Sequence, residues 1–339
     1  MAVAKILFLA DTHLGFDLPF KPRIRRRRRG LDFFDSFRRA LQPALDGRVD
    51  CVVHGGDLLY RSRVPAELVV MALQPLKDVA DSGIPVFLVP GNHERSEIPF
   101  GLLTKHPRLY VFNRPRTFTL QLRSGSIALA GFPFVRNSIG ARFGDLVEQT
   151  LWKECSADVS LLCVHQAFEG ATVGPIGYTF RRGPDVVAMQ GIPPGFQAVL
   201  SGHIHRAQVL TDDLSGNACA TPVLFPGSTE RTSFAERNEE KGYLILHIEL
   251  RQPDPTPRLT WNFHPLPTRP MKLVDIYASG MNGRQLAAHL STEIHGLPAD
   301  AVVKIRVLEL DKRARPALRA ASIRKLAPET MNLSVTVVE

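Results

Sequence analysis

The sequence predicts an α/β protein: a layered sandwich of two sheets, followed by a small α+β domain. Three observations predict it. In the first half of the chain, apolar β-rich runs alternate with stretches of helical period. The middle is rich in strands, which suits two packed sheets better than one doubly wound sheet. Six prolines between Pro253 and Pro270 then mark a boundary, and strand and helix signals resume beyond it. A length of 339 residues fits about two domains. The expected division is 1–265 and 270–339.

Lys5–Ala10 reads as the first strand. Phe33–Leu45 reads as a helix, with apolar residues at 33, 34, 37, 41 and 45. Val49–His54 is a strand. Pro65–Ser82 is a helix, with Pro65 suited to its first turn. Pro85–Pro90 is a strand. Thr117–Leu122 and Ser126–Gly131 flank Ser124-Gly125 and read as a hairpin. Phe143–Glu154 is helical, and Val159–Val164 and Ala198–Ser201 are short buried strands. Tyr243–Leu250 and Leu259–Phe263 are the clearest of the later strands. Past the prolines come a strand (Lys272–Tyr277), a helix (Arg284–His295), a strand (Ala301–Leu310), a basic helix (Ala317–Leu326) and a last strand (Asn332–Val338).

Composition narrows the class. Hydrophobic residues make up 44% and charged residues 22%, which excludes a chain disordered throughout. No apolar run approaches the ~18–20 residues of a membrane span. The run Ile6–Ala10 ends at Asp11 and lacks a signal peptide's length. Four cysteines form no CxxC pair, so a reducing cytoplasm is the expected location. The net charge is +9, and residues 21–29 carry seven basic groups, which leaves +2 for the rest. Arg25, Arg26, Arg27, Arg28 and Arg29 are consecutive and repel one another, so a polyanion partner is expected there. Lys312, Arg313, Arg315, Arg319, Arg324 and Lys325 form a second basic cluster, for which a solvated helix face is an equal reading.

The chemistry gathers where predicted strands end. The first strand runs into Asp11-Thr12-His13, the second into Gly55-Gly56-Asp57, and the third into Gly91-Asn92-His93-Glu94. Later strands run into His165-Gln166 and Gly202-His203-Ile204-His205. Ligands of open α/β folds bind outside the carboxyl ends of strands. Carboxylate, imidazole and amide donors without thiolates suit Mn, Fe, Zn or Mg. Asp-x-His and His-x-His fit strand ends, because alternate residues point the same way. Gly56, Gly91 and Gly202 are expected to bring backbone close to an ion. Asp57 is suited to bridge two cations about 3.5–4 Å apart, a pair that clamps a phosphate for in-line displacement. Each motif alone is weak; the set of five in this order points to one metal rim.

The ordered set Asp-x-His, Gly-Asp, Gly-Asn-His-Glu, His and Gly-His-x-His resembles that of the calcineurin-like metallophosphoesterases. The stretches HGGDLLYRSRVPAELV (54–69), SGHIHRAQVL (201–210) and FPGSTERTSFAERNEEKGYLILHIE (225–249) are similar to the SbcD-type and Mre-type DNA repair nucleases within that superfamily. The resemblance implies an αββα sandwich with a small capping domain, at 270–339, that helps hold DNA. It implies two divalent metal ions, with Mn favoured. Asp11, His13, Asp57 and His205 would hold one; Asp57, Asn92, His165 and His203 would hold the other. It assigns His93 to the leaving oxygen as a catalytic group. Glu94 is expected to support its loop. It also implies an SMC-like ATPase partner and a homodimer. Arg25–Arg29 and Arg61 are the expected DNA contacts.

The sequence departs from that pattern in places. Tyr60 stands where many members carry a histidine, and Glu94 stands where the nucleases usually carry Asp. Gly-Asn-His-Glu also occurs in protein serine/threonine phosphatases, but their Asp-Arg-Gly is absent here. The helices by which family nucleases grip the ATPase are not found after the last predicted strand. A phosphodiesterase or phosphatase for a small phosphoester is the alternative; the basic loop and the cap disfavour it. A non-catalytic DNA-binding protein is a third reading, disfavoured because no donor has decayed. His54, Trp152 and Trp261 read as packing residues.

Overall fold

The structure is a computed structural model and describes residues 3–18, 28–94, 105–123, 125–250 and 258–338. Arg25, Arg26, Arg27 and Ser124 lie outside the described residues. The chain packs as two compact units. The larger comprises residues 1–16, 33–230 and 239–267; the smaller comprises 17–32, 231–238 and 268–339.

In the larger unit, β1 (Val3–Leu9), β2 (Cys51–His54), β3 (Val86–Leu88) and β4 (Leu109–Val111) run parallel. Their sequences are apolar almost throughout, as strands covered on both faces require. A second sheet holds β5 (Arg116–Leu122), β6 (Gly125–Gly131), β7 (Val159–Val164), β10 (Ala198–Ser201), β11 (Gln208–Asp212) and β12 (Ala218–Phe225). A short hairpin, β8 (Thr172–Val173) with β9 (Tyr178–Thr179), lies between β7 and β10 in sequence. β13 (Gly242–Glu249) returns to pair antiparallel with β1, and β14 (Arg258–Pro265) pairs with β13. The first sheet therefore has the order β14-β13-β1-β2-β3-β4, and the second β11-β12-β10-β7-β6-β5.

Strand alternation explains the layering. Ala4, Ile6 and Phe8 of β1 point inward with Cys51, Val53 and Phe87, and share one core with Leu129, Leu161, Cys163, Leu200 and Leu224 of the other sheet. On the far side of the first sheet lie α1 (Gly30–Leu45) and α2 (Ala66–Asp81). Phe37 of α1 sets its ring edge-on to that of His54 at 6.0 Å. On the far side of the second sheet lies α3 (Ile139–Glu148), where Ile139, Phe143 and Val147 pack on Leu162, Val164 and Val199. The result is the expected two-sheet sandwich with helices on both faces. No helix among the described residues is long and apolar enough to cross a membrane.

Two boundaries differ from expectation. The helix expected at Phe143–Glu154 begins at Ile139 and stops at Glu148. Leu151 then takes a left-handed φ of 57°, which breaks the helix before a single 3-10 turn, Trp152–Glu154. Pro65 precedes α2 as its N-cap rather than sitting in its first turn.

The smaller unit contains a parallel sheet of β15 (Met271–Tyr277), β16 (Val302–Leu308) and β17 (Asn332–Val338). The crossover helix α4 (Gly283–His295) starts at a reciprocal cap. The Asn282 side chain accepts the Arg284 and Gln285 N–H groups, and Gln285 accepts the Asn282 N–H in return. Its Leu286, Leu290 and Ile294 pack on Ile276, Ile305 and Val307. The basic helix expected at Ala317–Leu326 is split. A 3-10 segment (Lys312–Leu318) meets α5 (Ala320–Leu326) at Arg319, whose ψ of 134° is extended. Arg269 is held by Asp32 at 2.9 Å, by Asn332 at 2.7 Å, and by the carbonyls of Asp300 and Thr330 at 2.6 and 2.7 Å.

Candidate metal centre

Each motif begins where a parallel strand stops. β1 ends at Leu9, β2 at His54, β3 at Leu88, β7 at Val164 and β10 at Ser201. The backbone then leaves extended geometry abruptly. Asp11, His13, Asp57 and His203 have φ of 52°, 44°, 53° and 82°, four of the eight non-glycine residues with positive φ among those described. The left-handed region is costly for such residues and concentrates at functional sites. This corrects the expectation that strand alternation aims Asp-x-His and His-x-His. Single left-handed residues, Asp11, His13, Asp57 and His203, re-aim the chain past the strand ends.

Two of the glycines also make room for candidate ligands. A Cβ on Gly91 would collide with the Asp57 carboxylate, and one on Gly56 with the His165 ring.

All seven expected donors meet. The Nε2 atoms of His13 and His205 lie 2.9 Å apart, and His205 Nε2 is 3.9 Å from Asp11 Oδ1. Asn92 Oδ1 lies 3.1 Å from His165 Nε2 and 2.9 Å from His203 Nδ1. Asp57 Oδ2 lies 3.5 Å from His165 Nε2. Three triads have donor atoms within 4.8 Å of one another: Asp11, His13 and His205; His13, Asp57 and His93; Asp11, Asp57 and His165. Asp57 joins the two sides.

Protonation differs across the rim. His165 Nδ1 is 2.7 Å from the Gly55 carbonyl, which only accepts, so Nδ1 holds the proton. Nε2 faces Asn92 Oδ1 and Asp57. Burial pulls both His13 and His203 down to about 3, so these rings are neutral near pH 7. Burial pushes Asp11 up to about 6, against the pull of His165 and His205. Burial acts on Asp57 in the same upward sense and is the largest single cause, but the charge and hydrogen bond of His165, with His13 and His93 beside it, together outweigh it and hold the carboxyl well below the usual carboxylate range. Burial opposes the charge on His165, yet Asp57 and then Asp11 raise it to about 9. Two carboxylates, one amide oxygen and four imidazoles meet at this rim, a donor set that suits hard-to-borderline divalent cations.

The surrounding residues hold this rim. Glu94 is buried and accepts three backbone N–H groups: Asp57 at 2.9 Å, Leu59 at 2.9 Å and Gly91 at 2.7 Å. Burial and then the Asp57 charge push its carboxyl up to about 8, while the Leu59 and Gly91 N–H groups pull it down. His93 donates its backbone N–H to Asp57 Oδ1 at 2.9 Å. Its ring Nδ1 is 2.5 Å from the Tyr60 carbonyl, so Nε2 faces the rim, 3.8 Å from Asp57 Oδ2. His54 is fully buried and structural. It accepts the Gly56 N–H at Nδ1, 3.2 Å, and donates from Nε2 to Thr12 Oγ1 at 3.1 Å. Thr12 in turn donates to the Leu58 carbonyl at 3.1 Å.

The expected DNA-contacting arginines separate. Arg28 is exposed and pairs with Asp17 through Nε at 2.9 Å. Arg29 is 8% exposed, and its guanidinium donates to the Arg231 carbonyl, so it is a packing group. Arg61 stacks over the Tyr60 ring at 4.8 Å. Sequence reasoning missed Phe134, whose ring lies 5.9 Å from that of His165 and 5.5 Å from that of His203. It carries no motif signal. Thr12 was missed as well, though a hydroxyl between two buried ligand-type residues is a usable sign.

Residues 4–207 match the calcineurin-like phosphoesterase family, and that span contains all seven donors. The chain belongs to this family. Calcineurin-like phosphoesterases use a dinuclear divalent metal site, and this one holds candidate ligands for it. It is 29% identical over 308 residues to the DNA double-strand break repair protein Mre11 of Haloferax volcanii, covering 90% of this chain and 62% of that protein. It is 26% identical over 219 residues to the Mre11 protein of Saccharolobus solfataricus, covering 62% of this chain and 52% of the relative. The chain thus spans 52–62% of the length of these relatives. A dimetal phosphatase from Danio rerio aligns at a TM-score of 0.46 and 12% identity, covering 72% of this chain and 94% of its own.

Proposed function

We propose that this phosphoesterase hydrolyses DNA phosphodiester bonds in DNA repair, with two Mn2+ ions as its working metals. One observation carries the choice of DNA. Similarity to an Mre11 protein covers 90% of the chain, so it runs well past residue 207, where the phosphoesterase match ends. A small phosphoester would need only the phosphoesterase part.

Asp11, His13, Asp57 and His205 are assigned to one ion, and Asp57, Asn92, His165 and His203 to the other. Two such ions, when bound, activate water and neutralise charge on the phosphate in flight. The chain's residues do the rest. Asp57 sits between the two donor groups and fixes their spacing. Glu94 and the His93 N–H hold Asp57 from behind. His93 keeps its Nδ1 proton on the Tyr60 carbonyl, which turns Nε2 toward the substrate. The protonated ring then donates from Nε2 to the departing sugar oxygen as a general acid.

Arg28 and Arg61, with Arg25, Arg26 and Arg27, are assigned to backbone phosphates, which they hold without reading sequence. Residues 270–339 are assigned as a cap that helps hold DNA. An SMC-like ATPase and a second copy of the chain are the proposed protein partners. The test is cleavage of linear duplex DNA with Mn2+, wild type beside Asp57→Asn, with a small chromogenic diester in parallel. DNA degradation that disappears in Asp57→Asn supports the reading. Diester hydrolysis with no DNA cleavage would favour the small-phosphoester alternative.

A further inference from the structure

Lys241 belongs to no metal motif, yet its side chain is fully buried, where an ammonium group is rarely found. Its Nζ donates to the carbonyl oxygen of His205 at 2.9 Å and to Glu239 at 3.0 Å. The Ser228 N–H donates to the same carbonyl at 3.1 Å. Arg206, the next residue, reaches Glu239 through Nε at 3.0 Å and the Thr172 hydroxyl through its guanidinium at 3.3 Å. The peptide unit joining His205 to Arg206 is therefore gripped from two separate segments of the chain, and the Arg206 side chain is held beside it.

Burying an ammonium is unfavourable unless it is paired and hydrogen-bonded, and a neutral side chain would fill the same space without that cost. The fold places the charge where it touches the backbone of His205. The imidazole of His205 projects from that backbone toward His13 and Asp11. We propose that Lys241, with Glu239 as its counter-ion, is a positioning residue for His205. It fixes the plane of the 205–206 peptide and so the direction of the ring. The inference rests on the reading that His205 holds a metal ion. Partners that orient a metal ligand commonly act through the ligand's second ring nitrogen; here the backbone carbonyl takes that part.

Gly227 offers an independent approach to the same carbonyl. Its φ is +76°, and a Cβ there would meet the His205 oxygen at 2.9 Å and the Ala207 nitrogen at 2.8 Å. Gly227→Ala therefore displaces this peptide while Lys241 stays in place.

The experiment is calorimetric titration of the full chain with Mn2+ alone, for wild type, Lys241→Met, Lys241→Arg and Gly227→Ala, with circular dichroism of each metal-free protein as a folding check. Wild type should bind two ions. Lys241→Met should weaken one of the two by about tenfold to a hundredfold and leave the other unchanged. Gly227→Ala should do the same, and Lys241→Arg, which still donates to the carbonyl, should recover most of the loss. If Lys241→Met fails to fold, Gly227→Ala and Lys241→Arg decide the matter. Equal weakening of both ions, or unchanged binding in the folded variants, overturns the inference and leaves the dinuclear reading intact. Fewer than two ions on wild type overturns that reading, and this inference with it.

Discussion

The Glu94 carboxylate accepts the backbone N–H of Asp57 at 2.9 Å, so the residue shared by both donor groups is fixed through its main chain by an acid 37 positions later. The same carboxylate accepts Leu59 and Gly91. An unmet buried N–H costs about 1–3 kcal/mol. Glu94→Ala leaves three of them unmet and is expected to lower stability by at least about 3 kcal/mol, read by urea unfolding of the metal-free protein. A loss under about 1 kcal/mol would show that water or a shifted loop replaces the carboxylate.

His93 offers a cleaner separation of chemistry from structure. His93→Ala should keep the fold and both ions but slow DNA cleavage by roughly 10²–10⁴-fold, the usual worth of a general acid. A diester whose leaving group is already acidic needs no proton, so its hydrolysis should fall much less. Equal losses on the two substrates would count against proton donation from Nε2.

The thiols provide a test of packing. Cys51 and Cys163 are fully buried in the core between the sheets, and burial pushes the Cys163 thiol well above its ordinary value. Its thiolate, the reactive form, is negligible at pH 8. Cys155 and Cys219 are partly exposed. A thiol-specific chromogenic reagent should titrate two groups in the folded protein and four in urea. Four groups in the folded state would mean that the sandwich opens.

Asp213 carries a pH signature. Its carboxylate accepts the N–H groups of Ser215 at 2.8 Å and Asn217 at 3.0 Å, together with the Asn217 and Gln190 side chains. The Asn217 backbone and side chain come first among the causes that lower it to about 2, from 3.8. A depressed acid stabilises the fold above its unfolded value and loses that effect as pH falls through its folded one. Asp213→Ala should therefore melt below wild type at pH 7, and the gap should close between about pH 4 and pH 2. A gap that is constant across that range would mean that the carboxylate charge contributes nothing.

The metal rim was legible because each donor follows directly on an apolar run, and the ends of neighbouring parallel strands lie side by side. How the donors converge was not legible. Asp11 and His13 are two apart, a spacing that strand alternation explains equally well, and nothing in their identities announces a left-handed backbone. Lys241 was illegible for another reason. A lysine beside two glutamates reads as solvated surface, and only the return of β13 along β1 brings it against His205. The split of the last basic helix turns on one extended residue, Arg319, among good helix formers. Residues 28–32 and 231–238 gave no sign that they pack with the C-terminal segment, because that association is set by tertiary contacts alone.

Asp32 and Arg269 stand 237 residues apart in sequence and pair within the smaller unit. Ribosomes add about 5–20 residues each second, so the aspartate waits about 10–50 s for its partner to be made. The strands β16 and β17 arrive later still. By the time Arg269 is made, the nascent chain already carries every candidate donor of the rim, the last being His205. Asp32, made almost at the start, therefore has no Arg269 to pair with until every strand of the larger unit, β13 and β14 included, has been made.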